Sequence, residues 1–471
     1  MPSLRSLSPF LLMLGLIPSL AGCKKEEPAT WTPEKKRAEH EKMKAHWADQ
    51  AAKEASCQPK PEGRTGSLRW YEDDFEAAVA CAKKTGRPLL LDLWAPWCHT
   101  CLSMQQTVFS APAMKMWAHQ FIWVAVDTDR PDSAPVTARF PPLAWPTFYV
   151  LDPDDLSVRG RHVGGASPAQ IDSLLDAGLA AEPSPAREAL RVAAAAEADG
   201  DWSTAAKAYG KAIAALPKDA AARPDFYVAK IRAESRAKEY KACLETAATH
   251  GEDTGTSASA ADLLLYAHRC GVALDLMNVI PGLLRDLSAH VERAVSEGKA
   301  MSVDDRSDAL RILREVATSL GDADGARKYA LRQKRLLDET MKDAPPEVVM
   351  TFGWPAAEVY TFLGEPAALV PTLEAAVKAL PEEYDPPYRL AWVLLQAGRA
   401  DAAAAPAESA AALAYGPRKV RVLELLARIH AERGDEAGRT KALQAAIDTL
   451  EGLPASQRDP DWQARLRAEL P

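Results

Sequence analysis

Cys98 and Cys101, separated only by His99 and Thr100, are the residues of this chain best suited to do chemistry. At the start of a helix such a pair can exchange with a disulfide. The first thiol there meets unpaired backbone N–H groups and the helix macrodipole, which stabilise a thiolate and bring its pKa below the free value of about 8.5. Cys98 is then the attacking sulfur, and Cys101, one turn later and more buried, resolves the mixed disulfide. The same spacing could be half a zinc site, but the sequence offers no second C-x-x-C and no clustered histidine pair to complete one. His99 admits two readings. As a histidinium it favours the thiolate, stabilises the reduced pair and raises the reduction potential; as a solvated side chain it only shapes the surface. Asp92 lies in an apolar run just before the pair, where a charge is expensive to bury and demands a partner. An aspartate merely hydrogen-bonded at the strand end is the plainer option.

These residues need rigid elements to hold them. Leu89 to Trp94 reads as a fully buried strand interrupted by Asp92, and the cysteines open a helix expected to run through about Trp117. Further buried strands are expected at 121–126, 147–151 and 157–163. A helix is expected over 71–84, from the spacing of Phe75, Val79 and Ala82, closed by Gly86-Arg87-Pro88. Ser167 caps a last helix with Pro168 in its first turn. Residues 67–182 therefore read as one compact α/β domain.

The run Leu91-Asp92-Leu93-Trp94-Ala95-Pro96-Trp97-Cys98-His99-Thr100-Cys101 resembles the active-site strand and turn of thioredoxins. Trp145-Pro146-Thr147 is similar to their cis-proline loop, and Val163-Gly164-Gly165-Ala166-Ser167 to their last strand-to-helix turn. The domain lies nearest the C-terminal domain of the bacterial thiol:disulfide interchange proteins. That resemblance implies a thioredoxin-like thiol–disulfide oxidoreductase, needing no cofactor or metal, with Asp92 as proton acceptor for Cys101. It also implies that Pro146 is cis, leaving the backbone of Trp145, with Thr147 beside it, to receive a substrate strand. The sequence departs from the family in two places. His99-Thr100 replaces glycine-proline, and Trp145 replaces a small or β-branched residue, so His99, Thr100 and Trp97 are expected to modulate the site. Trp94 and Trp97 otherwise read as packing and surface aromatics.

The first residues read as an export signal: Arg5 is followed by an apolar run from Phe10 to Leu20, too short to span a bilayer. Leu20-Ala21-Gly22-Cys23 resembles the lipobox of bacterial lipoproteins, which implies cleavage after residue 22 and acylation of Cys23. Stable anchoring follows from two or more chains. Lys24, where a retention aspartate would stand, favours the outer membrane over the inner. Residues 23–66 are charged and read as a partly helical tether. In an oxidising compartment the six remaining cysteines allow the active pair and up to two bridges. Cys57, Cys81, Cys243 and Cys270 cannot be paired from sequence, and a small buried thiol is the commoner explanation for Cys81, Cys243 and Cys270.

From residue 183 to 471 the chain is alanine-rich and helical, with Gly364, Gly398 and Gly434 recurring at nearly constant intervals. Ala205, Tyr209, Ala212 and Pro217 follow Gly200-Asp201 at the spacing of a tetratricopeptide second helix; Ala376 and Pro381, then Ala403 and Ala410, repeat parts of it. This resembles a degenerate tetratricopeptide solenoid, whose pairs bury their apolar faces on one another. From Asp225 to Ala317 the register is poor and only helices are expected. The chain of 471 residues is thus read as multidomain. A net charge of −8, spread without a basic block, excludes nucleic acid as a partner. The expected partners are client proteins of the envelope and a membrane thiol reductase as electron donor, with exchange in the reducing direction and the repeats selecting clients. The competing reading is a scaffold lipoprotein for envelope assembly whose α/β domain is only structural.

Overall fold

The computed structural model describes Cys57 and residues 68–180, 184–297 and 301–470. The export signal, Cys23 and the remainder of the tether lie outside the described residues. Trp70–Glu72 (β1) leads through α1 (Phe75–Thr85) to β2 (Leu89–Trp94), and α2 (His99–Thr107) follows directly. Then come β3 (Ile122–Asp127), α3 (Ala134–Arg139), β4 (Thr147–Leu151), β5 (Val158–Val163) and α4 (Pro168–Leu179). The strands form one sheet in the order β1-β3-β2-β4-β5. β1, β3 and β2 are parallel, and β4 and β5 form antiparallel pairs on the other side of β2. The continuous leucines of β2 are explained by its central place, because both of its faces are covered. Leu90 packs with Met104 and Leu175 on one side, Leu89 and Leu91 with Ala78 and Ala82 on the other. This is the thioredoxin-like arrangement expected.

Two boundaries differ from the sequence reading. The helix expected from Tyr71 starts at Phe75, capped by Asp74, while residues 70–72 add an edge strand to β3. Only the presence of β3 alongside makes strand the better use of their backbone groups. The helix expected to reach Trp117 stops at Thr107 and gives way to a 3-10 turn at Pro112–Met116. Pro112 has no N–H with which to continue a ladder. The short α3 had no counterpart in the sequence reading.

Residues 185–470 are helical hairpins: α5 (Pro185–Ala198) with α6 (Trp202–Ala215), α7 (Arg223–Arg236) with α8 (Tyr240–His250), and α9 (Ala258–Ala273) with α10 (Pro281–Glu297). They continue as α11 (Val303–Ser319) with α12 (Ala323–Met341), and α13 (Pro346–Phe362) with α14 (Val370–Ala379). Last come α15 (Asp385–Gln396) with α16 (Ala400–Leu413), α17 (Gly416–Glu432) with α18 (Glu436–Gly452), and α19 (Pro460–Ala468). Ala205, Ala212, Ala403 and Ala410 are fully buried, as helices in close approach require. Most hairpins turn on a left-handed residue, whose follower donates its N–H back to the helix, as Asp201 does to Ala196 and Asp435 to His430. Between 225 and 317, where the pattern fades, Lys238 and Asp275 adopt the same conformation, and Glu239 and Leu276 make the same bond. The hairpin is retained there without its glycine.

Cysteine pairing also departs from the sequence reading. Cys81, Cys243 and Cys270 are not free buried thiols: Cys57 is bonded to Cys81, Cys243 to Cys270, and Cys98 to Cys101. Cys243 and Cys270 face each other from α8 and α9, a juxtaposition that neither helix reveals alone.

Candidate redox site

The described residues from Cys57 onward belong to one compact unit, and the array meets the sheet domain at the residues flanking the cysteines, through Asp304, Arg389 and Arg418. Cys98 caps α2: its sulfur accepts the N–H of Cys101 at 3.0 Å, the interaction expected of a thiolate-stabilising helix start. Its backbone N–H is held by Ala95, which fixes the turn out of β2. Cys98 is only 4% exposed, however, so it does not stand open to solvent as a bare helix start would, and Cys101 is buried behind it. Asp92 lies buried in the middle of β2, opposite Ala125 and Phe148.

The opposing loop is also in place. The Trp145–Pro146 peptide is cis, and the Pro146 carbonyl receives the N–H of Gly164 at 2.8 Å, joining this loop to the turn after β5. Trp145 is 36% exposed, and its indole N–H donates to the Thr128 hydroxyl. Thr147 is fully buried, its hydroxyl donating to the carbonyl of Ala144, so it holds the loop's shape rather than offering a side chain to a substrate. Ser167 and Gln170 form a reciprocal cap at the start of α4.

Helices far along the sequence complete the site. His99 is partly exposed, at 23%, but is not free in solvent: its Nδ1 lies 2.7 Å from a carboxylate oxygen of Asp304, in the first turn of α11. Burial pushes this imidazole down. The charge and hydrogen bond of Asp304, with help from Asp308 and against Arg389, bring it instead up to about 9. Thr100 packs against Gly165, where an added Cβ would come within 3.0 Å of its methyl and 3.1 Å of the Asp305 carboxylate, so any larger residue would press on both side chains. The buried Arg389 of α15 donates to the Trp97 carbonyl at 3.3 Å and to the Met350 carbonyl, and pairs with Asp385. Arg418 of α17 stacks over the Trp97 ring at 5.0 Å, while that ring's N–H donates to Asp129 at 2.7 Å. Trp97 is thus clamped between domains rather than being a free surface aromatic. The Tyr415 hydroxyl donates to Asp127, and Gln457 to the carbonyl of Thr128. Gly416 approaches so closely that any Cβ would collide with the carbonyl of Asp129.

Sequence reasoning missed Asp127, Asp129, Asp304, Arg389, Arg418 and Tyr415. The Asp127-Thr128-Asp129 run at the end of β3 was the one local signal, two carboxylates where a buried strand delivers its loop. Burial and the neighbouring Asp127 push Asp129 up to about 7, against the pull of the Trp97 hydrogen bond and Arg418. Folding therefore favours the neutral acid. That contribution is fully present below the ordinary carboxylate range and is lost as pH rises through about 7. Asp129→Asn keeps an acceptor for Trp97 without the charge. Urea unfolding should show it more stable than wild type by about 1–2 kcal/mol near pH 8, with a flatter decline from pH 5. Identical pH slopes in both proteins would refute this.

The profile described as thioredoxin-like matches residues 69–153. Over 95 residues the chain is 30% identical to the thiol:disulfide interchange protein DsbD of Cronobacter sakazakii (strain ATCC BAA-894). That stretch is 20% of this chain and spans only 16% of the relative. Among solved structures, a tetratricopeptide repeat protein from Parabacteroides merdae ATCC 43184 is similar over 60% of this chain and 97% of its own, at 10% identity and a TM-score of 0.38. A thermophilic tetratricopeptide protein of Thermus thermophilus covers the same shares at 13% identity and a TM-score of 0.24.

Proposed function

We propose that this chain, whose sheet domain is thioredoxin-like, is a thiol–disulfide oxidoreductase working through Cys98 and Cys101. The observation that carries the reading is the Cys98–Cys101 pair at the N-cap of α2, with the Cys101 N–H directed at the Cys98 sulfur. In the reducing direction the Cys98 thiolate attacks a client disulfide, and one client sulfur leaves as thiolate. Cys101 then gives its proton to Asp92 and attacks the Cys98 sulfur, releasing the client as a dithiol and leaving the Cys98–Cys101 disulfide. Two electrons pass to the client and are restored by a thiol reductase, for which a membrane protein is the natural class. Trp145 and Pro146 receive the client backbone. The helices around the site select clients by admitting extended segments and rejecting folded ones, since Cys98 is almost covered. No helix among the described residues is long and apolar enough to cross a membrane. The lipobox-like Leu20-Ala21-Gly22-Cys23 supports anchoring through Cys23 on the periplasmic side, the outer membrane being favoured.

Equilibrating the whole chain in glutathione buffers and mass-tagging its free thiols tests the activity. The Cys98 and Cys101 pair should open and close reversibly as a two-electron couple while Cys57–Cys81 and Cys243–Cys270 stay closed. A potential below about −200 mV supports the reducing direction. Asp92→Asn should slow resolution of the mixed disulfide more than its formation, seen as a selective loss of the second phase in stopped flow. A pair that never cycles rejects the function, and an unchanged second phase removes Asp92 from it.

A further inference from the structure

We propose that Asp304 is a positioning residue of the redox centre: by gripping His99 it keeps an imidazolium beside Cys98, so that the helical array sets the acidity and the reduction potential of a thiol in the sheet domain. The inference rests on the exchange reaction proposed for Cys98 and Cys101.

The local structure explains why Asp304 is ready for this. Ser302 caps α11 in a reciprocal box with Asp305, leaving Asp304 in the first helical turn, where backbone N–H groups and the dipole favour an anion. Asp304 is 2% exposed and meets His99 at 2.7 Å. A carboxyl group so enclosed needs a hydrogen-bonding partner, and His99 is the one it meets from the sheet domain. Asp308 and Arg311 of α11, Glu358 of α13, Arg389 of α15 and Thr100 of α2 also act on this pair of groups or their neighbours. Asp308 and Asp304 favour the charged imidazole; Arg389 opposes it. His99 adjoins Cys98 in the chain and opens the helix that the Cys98 sulfur caps, whereas Asp304 comes from α11 and bonds to His99. On this proposal the imidazolium is the member of the pair whose charge the sulfur feels. The pair therefore favours the thiolate, and with it the reduced state. Without Asp304, burial and Arg389 both press His99 toward its neutral form.

The test uses the full chain as wild type, Asp304→Asn, Asp304→Glu, His99→Gln and the Asp304→Asn/His99→Gln double variant. Thiolate absorbance against pH reads the acidity of Cys98, and equilibrium with glutathione reads the potential. Asp304→Asn should lower the equilibrium constant for reduction about tenfold, close to 30 mV for a two-electron couple, and raise the Cys98 pKa. Asp304→Glu should recover most of both, and Asp304→Asn should add nothing once His99 is glutamine. A purely structural contact would leave potential and thiol titration unmoved. No shift, a shift of opposite sign, or an equal shift without His99 overturns the inference. Should Asp304→Asn not fold, the nitrogen NMR shifts of His99 in reduced wild type decide alone: an imidazolium at pH 7.5 supports the proposal, a neutral ring rejects it. A wild-type pair that fails to cycle removes the underlying function and this inference with it. Normal cycling indifferent to Asp304 removes the inference only.

Discussion

Cys101→Ser should trap clients on Cys98 as stable mixed disulfides, and Cys98→Ser should form none. The asymmetry follows from position. The Cys98 sulfur caps α2 and receives the Cys101 N–H, so it is the sulfur whose thiolate the helix start stabilises. Cys101 lies one turn in and is buried, where it can reach the Cys98 sulfur but not a client. A serine at 98 removes the nucleophile altogether, because a hydroxyl is not ionised at neutral pH, and turnover should fall by a factor on the order of 1,000 or more. A serine at 101 spares the first attack and removes the resolving one. External thiols must then replace a sulfur held within reach, and well-oriented intramolecular groups act at effective molarities of about 10⁵ M or more. Non-reducing gels and mass spectrometry of the trapped species will separate the two variants. Trapping by Cys98→Ser alone reverses the assignment of attacker and resolver, and equal trapping by both rejects the division of roles. Cys98 is only 4% exposed and the array meets the residues on either side of it, Trp97 and His99, so clients trapped on native protein should be joined through extended segments. Their linkage sites, read by peptide mapping, test the gating role proposed for the helices.

Arg389→Met should be the most destabilising single change at the junction between the two parts. The guanidinium is fully buried, pairs with Asp385 and donates to the carbonyls of Met350 and Trp97. Methionine fills the volume but leaves Asp385 buried with Arg418 as its remaining cation, at 3.3 Å. Breaking a buried pair from one side costs about 3–5 kcal/mol, chiefly through the charge left behind. Urea unfolding should report a loss of that size. In the reduced protein, alkylation of Cys98 should quicken, since the hold on the Trp97 carbonyl is gone. Removing the stranded charge as well, in Arg389→Met/Asp385→Leu, should restore part of the loss. A loss below about 1 kcal/mol would show that the pair contributes little to the junction.

Much of the sheet domain was determined by sequence because its signals are local. The buried run Leu89 to Trp94, the C-x-x-C at a helix start and the Ser167 cap each depend on spacings within a strand or a single turn, where backbone sterics and hydrogen bonding act between near neighbours, while the cis peptide at Pro146 was expected only from the resemblance to thioredoxins. The hairpins of the array were legible where glycine supplied the left-handed residue, at Gly200, Gly321, Gly364, Gly398 and Gly434. Lys238 and Asp275 hid the same turn between 225 and 317, because packing of the flanking helices holds a conformation that those side chains do not advertise. Residues 70–72 became a strand rather than a helix only because β3 lies beside them. Tertiary structure alone decided the bridges at Cys81 and Cys243, the burial of Cys98, and the meeting of His99 with Asp304 across 205 positions of chain. Such contacts require no pattern at either end. An aspartate in the first turn of a helix looks the same whether it faces water or a histidine, and only the folding of the array around the sheet domain gives it that partner.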